Sequence, residues 1–109
     1  MYSTGQTFKL KPGRYDEDKE AHDELWPGIA ERLRSHGVSM VIHHFEDRLY
    51  LFATAPSQRH FEQSQEGPEV ERWREYMATM MITDAEGMSI VEEMDLAFTF
   101  GDFEAEGGG

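Results

Sequence analysis

The run Leu49-Tyr50-Leu51-Phe52-Ala53 places an apolar side chain at every position, so a strand built from it is greasy on both faces. A strand in a half-solvated antiparallel sheet is polar on one side, so this one belongs to a sheet covered above and below. The helical segments of the chain can cover only one face. The other is expected to meet a second copy of the protein, giving a homodimer through the open sheet face. At 109 residues there is room for one modest core. A single domain over 1–109 is expected, folded over 6–100, with the glycine-ended stretch 101–109 as a flexible tail.

The pattern around that strand sets the architecture. Phe8 and Leu10 alternate with Thr7, Lys9 and Lys11 before Pro12-Gly13, a short first strand. From Tyr15 to His36 apolar residues recur at helical spacing, acidic residues crowd the first turns, and Gly37 stands where the helix stops. Pro27 has no N–H to donate and clashes with the carbonyl four residues earlier, so this helix is expected to kink or to split into two pieces near Trp26. Residues 39–46 and 48–54 form a hairpin about Glu46-Asp47. A short polar helix over 57–65 follows, and Gly67-Pro68 opens another whose stripe is Val70, Trp73, Met77 and Met80 or Met81. Met94, Leu96, Phe98 and Phe100 alternate with Asp95, Ala97 and Thr99, a last strand. The order is strand, helix, strand, strand, helix, strand. This is the α+β, ferredoxin-like βαββαβ arrangement, an antiparallel sheet with helices on one face.

Composition removes several function classes. Twenty-two acidic against 10 basic residues give a formal charge of −12, and the basic residues are scattered, so no surface suits a nucleic-acid backbone. There is no cysteine for disulfides or thiolate ligands. No segment reaches the roughly 20 apolar residues of a membrane helix, and the first residues lack the pattern of a signal peptide, so a cytoplasmic protein without membrane contact is expected.

Chemistry concentrates near His22. His22, Trp26, Ile29, Ala30 and Leu33 fall on one helical stripe, which points a titratable imidazole inward. With an ordinary pKa near 6.5, such a group is either a satisfied core residue or the proton-transfer group of a pocket. His43 and His44 are neighbours on a strand, point to opposite faces and cannot chelate one ion, so no metal site is expected. His36 is placed at a helix end and His60 on the surface.

His22 with Trp26-Pro27, then Ser35-His36-Gly37, Leu51-Phe52-Ala53, and Arg72-Trp73 followed by Tyr76-Met77 occur in an order and spacing that resemble the L-rhamnose mutarotase family, over about Phe8 to Phe100. The resemblance implies the dimeric ferredoxin-like α/β barrel, a small-molecule sugar as partner and no cofactor. It implies catalytic proton donation by His22 and sugar stacking on Trp73. Three further pocket positions fall on residues unlike the family's: Asp18 where it has a Tyr one turn before the His, Val41 where it has a Tyr on the second strand, and Arg74 where it has a second Trp. The substrate implied is a 6-deoxyhexose of the L-rhamnose or L-fucose type.

The changed residues have their own chemistry. Asp18 lies four before His22, so on a continuous helix its carboxylate can reach the imidazole and favour the protonated form; the alternative is a solvated first-turn residue. His43 shares strand parity with Val41 and is expected either in the same cavity or against the partner subunit. Arg74 could hold sugar hydroxyls or a carboxylate through five donors, or pair with Glu71 or Glu75 at the surface. Tyr15 is expected to pack at the start of the first helix. The rival functions are another cofactor-independent reaction on the same barrel, such as a monooxygenase or cyclase, and a non-catalytic binding module.

Overall fold

The computed structural model describes residues 1–103. Residues 104–109, most of the expected tail, lie outside the described residues. The elements run β1 (Tyr2–Lys9), α1 (Tyr15–Asp23), α2 (Pro27–Ser35), β2 (Ser39–Phe45), β3 (Arg48–Ala55), α3 (Gln58–Ser64), α4 (Pro68–Ala78) and β4 (Val91–Glu93). The four strands form one antiparallel sheet in the order β2-β3-β1-β4, the ferredoxin-like topology with each crossover helix in two pieces.

Register decides which side chains face the helices. Phe8 pairs with Leu49, Gln6 with Leu51, Ile42 with Leu51 and Met40 with Ala53, so these residues share the covered face. There Leu51, Ala53 and Ala55 pack against Phe61 of α3, while Leu10, Leu49 and Met81 form a second cluster. A third, Ala21, Met77 and Met80, joins α1 to the end of α4 beside Trp73. The opposite face is uncovered: Val41, Phe45 and Phe52 are 49, 66 and 45 % exposed.

The helical stretch Tyr15–His36 is split into two pieces near Trp26, one of the two outcomes expected of Pro27. Pro27 becomes the first residue of α2, where its missing N–H costs nothing, and Glu24 to Trp26 form the joint. His22 and Trp26 therefore do not share one continuous stripe. α2 stops as expected at Gly37, whose φ of +68° suits glycine, with the Gly37 N–H donating to the Arg34 carbonyl and the Val38 N–H to that of Leu33, the pattern of a Schellman cap. At the other end of α2 the Glu69 carboxylate lies against Gly28, in space that a Cβ would otherwise take.

Two strand expectations need correction. β1 begins at Tyr2, well before the stretch that alternates visibly, because Tyr2–Gln6 complete a ladder with β3 although Ser3, Thr4 and Gly5 carry no hydrophobic signal. The last strand is Val91–Glu93 and not Met94–Phe100. After the bond from the Met94 N–H to the Gly5 carbonyl, the chain leaves β1 and finds no other strand among the described residues, and alternation alone cannot hold a strand without a ladder.

Met80, 1 % exposed, fills the centre of the third cluster. Met80→Ala is expected to lower unfolding free energy by about 2–5 kcal/mol in urea titration, the range for emptying a buried methionine site; a loss well under that range would mean that the cluster closes over the gap.

Candidate active site

Between the covered face of the sheet and the helices lies a cavity of about 670 Å³, a size suited to a small organic ligand. Phe8, Leu25, Ile29, Ile42, Leu51 and Met77 give it an apolar wall, and His22, Trp73 and Arg74 contribute from α1 and α4. A smaller hollow of about 310 Å³ between α2 and the start of α4 holds no imidazole or indole.

His22 stands in the last turn of α1, where the carbonyl end of the helix favours a cation. Its Nδ1 lies 2.9 Å from the Asp18 carbonyl oxygen and 3.2 Å from Asp18 Oδ1. Both partners accept, so Nδ1 carries the proton and donates, which leaves Nε2 for a ligand in the cavity. Burial acts most strongly on this group and pushes its pKa down, but the hydrogen bonds it donates to Asp18, the Asp18 charge and the more distant Asp23 charge together outweigh it and leave the imidazole above its ordinary value. The neutral ring therefore presents an acceptor at Nε2 and the charged ring a donor, and the fold favours the charged ring.

Asp18 was expected to touch the ligand. It lies instead behind His22, 2 % exposed and outside the cavity wall, so it is not a solvated first-turn residue. One oxygen faces the imidazole; the other, Oδ2, is buried without a hydrogen-bond partner among the described residues. The physical reason is helical geometry, since residues four apart stack along the axis and α1 presents Asp18 to the core beside Ala21.

Trp73 meets the His22 ring edge to face at 5.5 Å and the Trp26 ring at 5.1 Å, while Trp26 stacks on Tyr76 at 5.9 Å. These aromatic contacts hold the two helical pieces against α4 even though the joint interrupts their common stripe. Arg74 donates from a guanidinium nitrogen to the Gln65 carbonyl at 2.5 Å. Among the described residues it makes no ion pair with Glu71 or Glu75 and lines the cavity.

Val41, expected in the cavity, and His43, expected there or against the partner subunit, point to the other face of the sheet. His43 contacts the ring of Phe52 on the open face, whereas His44 stacks on Tyr15 of α1 at 3.6 Å. A strand apolar on both sides carries no parity signal, and the pairing of Ile42 with Leu51 turns Met40, Ile42 and His44 inward. Tyr15 thus packs at the start of α1, His36 bonds the Arg32 carbonyl at the end of α2, and His60 is exposed beside Ser57.

The wall also includes Gln6, Glu62, Gln65, Glu66 and Ser89, which sequence reasoning missed. Gln6 was within reach, because extending the alternation of Phe8 two residues upstream puts it on the covered face. Among the described residues no group of three or more His, Asp or Glu side chains is placed to hold a metal ion, and no helix is long and apolar enough to cross a membrane.

A family model described as L-rhamnose mutarotase matches residues 3–100. Named L-rhamnose mutarotases are among the similar proteins: one from Burkholderia orbicola is 33 % identical over 94 residues, covering 84 % of this chain and 90 % of that one. Another from Listeria monocytogenes is 27 % identical over 101 residues, covering 90 and 97 %. The fold superposes on a crystal structure of an L-rhamnose mutarotase from Formosa agariphila with a TM-score of 0.78 at 23 % identity, covering 93 % of this chain and all of that one. It also superposes on a dimeric ferredoxin-like protein from an uncultured marine organism with a TM-score of 0.61 at 13 % identity, covering 91 and 98 %. With nearly its whole described length matched, the chain belongs to the L-rhamnose mutarotase family.

Proposed function

We propose that this protein is a cofactor-free sugar mutarotase, an isomerase that interconverts the α and β anomers of a 6-deoxyhexose pyranose of the L-rhamnose or L-fucose type, with His22 as general acid/base. The observation that carries the reading is an imidazole on the wall of a sugar-sized cavity with Nδ1 engaged by Asp18 and Nε2 without a partner among the described residues. Family membership and the relatives' printed names support the sugar.

The reaction removes a proton from the anomeric hydroxyl and protonates the ring oxygen as the bond between the anomeric carbon and that oxygen breaks. The open aldehyde rotates, and the same steps in reverse close the ring on its other face. Protonated His22 delivers the proton to the ring oxygen from Nε2, and the carboxylates of Glu62 and Glu66 on the wall are acceptors for the hydroxyl proton. Asp18 is a positioning residue: it fixes the tautomer and orientation of His22 and favours its charged form. Trp73 offers a flat wall to the C–H face of the sugar, and Arg74 offers donors to hydroxyls at the rim. The working unit is a homodimer through the open sheet face, supported by the exposed Val41, Phe45 and Phe52.

Exchange between anomeric proton signals in NMR spectra, measured over a panel of hexoses with and without enzyme, tests the reading. His22→Ala is expected to slow exchange about a hundred- to ten-thousand-fold, the usual worth of a positioned proton-transfer group; exchange unaffected by His22→Ala, or no acceleration of any sugar, defeats the proposal.

Asp18→Asn supplies a separate check. Because the folded protein raises the His22 pKa, the stability gained from protonating it is fully present below the unfolded value near pH 6.5 and is lost as pH rises through the higher folded value. In Asp18→Asn the NMR titration midpoint of His22 and the alkaline limb of the pH–rate profile are both expected to move to lower pH. Unchanged midpoint and limb would reduce Asp18 to a packing role.

A further inference from the structure

We propose that the site selects sugars carrying hydroxyl groups on both C2 and C3, and that the Arg74 guanidinium reads this pair, holding the sugar beside the C1–C2 bond that turns during the reaction. The inference rests on the anomer chemistry proposed above and goes beyond it by naming the part of the ring that is recognised and the residue that recognises it.

Arg74 occupies an inward position. Val70, Trp73, Arg74 and Met77 recur at the spacing of one helical stripe and all line the cavity, so a guanidinium stands where the stripe is otherwise apolar or aromatic. Side chains on a helix lean toward its N-terminus. Arg74 turns back that way and donates from Nη2 to the Gln65 carbonyl at 2.5 Å, just beyond α3. That bond uses one of the five N–H groups of the guanidinium. The others have no partner among the described residues and are left for a ligand.

The polar groups of the cavity are spread around Trp73. α1 packs on the C-terminal end of α4 through Ala21, Met77 and Met80, which brings His22 to the Trp73 ring at 5.5 Å. Arg74 is held toward the opposite end of α4 by Gln65, and Glu62 and Glu66, which flank Gln65 in the chain, share that stretch of wall. A pyranose resting on Trp73 with its ring oxygen at His22 Nε2 presents a fixed order round its edge: ring oxygen, anomeric hydroxyl, the hydroxyls of C2 and C3, then C4 and the C5 methyl. With the anomeric hydroxyl toward Glu62 or Glu66, the pair on C2 and C3 comes next and meets Arg74, and the methyl group returns to the apolar wall. Two vicinal oxygens accept from two N–H groups of the planar fork at once. The two Glu carboxylates oppose a negatively charged ligand here, so a neutral hydroxyl pair suits this stretch of wall better than a carboxylate. Once the ring opens, a clamp on C2 and C3 keeps the rest of the sugar still while the aldehyde turns, and the C5 hydroxyl stays within reach for closure.

A cycle of substrates and variants tests this. Anomer exchange is measured by NMR against concentration for the better of L-rhamnose and L-fucose and for its 2-deoxy and 4-deoxy analogues, with the wild type, Arg74→Met and Arg74→Lys. In the wild type the 2-deoxy sugar is expected to lose about ten- to a hundredfold in kcat/KM, the worth of a hydrogen bond to a charged donor, with most of the loss in KM. Arg74→Met is expected to lose as much on the parent sugar. The two losses do not add: in Arg74→Met the parent and 2-deoxy sugars agree within about threefold, whereas the 4-deoxy penalty is the same in wild type and variant. Arg74→Lys, which keeps the charge without the fork, is expected to resemble Arg74→Met more than the wild type. Additive losses, a wild type indifferent to the 2-hydroxyl, or a preference for hexuronates that Arg74→Met abolishes overturns the assignment. Dissociation constants from titration calorimetry repeat the cycle without turnover. Sugars that bind but exchange no faster remove the anomer chemistry and leave the calorimetric cycle to decide Arg74; no binding of any sugar removes both.

Discussion

Pro27 is the constraint on which the arrangement of the site turns. A helix cannot run through it without losing a backbone bond, so α1 ends at Asp23, and His22 finds itself in a last turn with the negative end of the helix dipole behind it. The same break sends α2 off at its own angle, with Gly28 admitting the Glu69 carboxylate where the helix begins and Trp26 wedged against Trp73 and Tyr76. Without the joint, the imidazole would lie mid-helix, at a distance from any helix end.

His22 is then governed by two opposing effects. Burial disfavours its charge, and the residue one turn earlier favours it; the second wins because Asp18 adds side-chain and backbone hydrogen bonds to an electrostatic attraction. A phenol at that position could orient the ring but would bring no charge. An Asp in place of the Tyr that the resemblance implies therefore changes the electrostatics of His22 from behind the ring. Oδ2 of Asp18, buried without a partner among the described residues, adds to the electrostatic cost of the arrangement.

How far the site could be read in advance differs from residue to residue. His22, Trp73 and the split helix are legible because each depends on local rules: spacing along a helix, and a ring that cannot donate. The reach of Asp18 to His22 is legible for the same reason, being a contact between residues four apart. Its burial is not, since that depends on which side of α1 the Ala21–Met77–Met80 cluster covers. Val41 was misplaced, and His43 was left open between cavity and partner, because residues 39–45 are apolar or ambiguous on both faces, and only the cross-strand partner settles the parity. Glu62 and Glu66 were missed because a polar side chain on or just after a short helix carries no mark of facing inward, whereas the parity of Phe8 already places Gln6 on the covered face.

By itself the sequence determined the order of strands and helices, the stop at Gly37, the break at Pro27 and the presence of an inward imidazole, all consequences of backbone sterics and of periodicities that act over a few residues. Only the tertiary structure decided which face of β2 looks into the cavity, that Asp18 is sealed behind His22, and that the chain after Glu93 leaves its own sheet. Those outcomes depend on register and on partners far apart along the chain, and a pairing energy shared between distant strands leaves no local trace in the residues that make it.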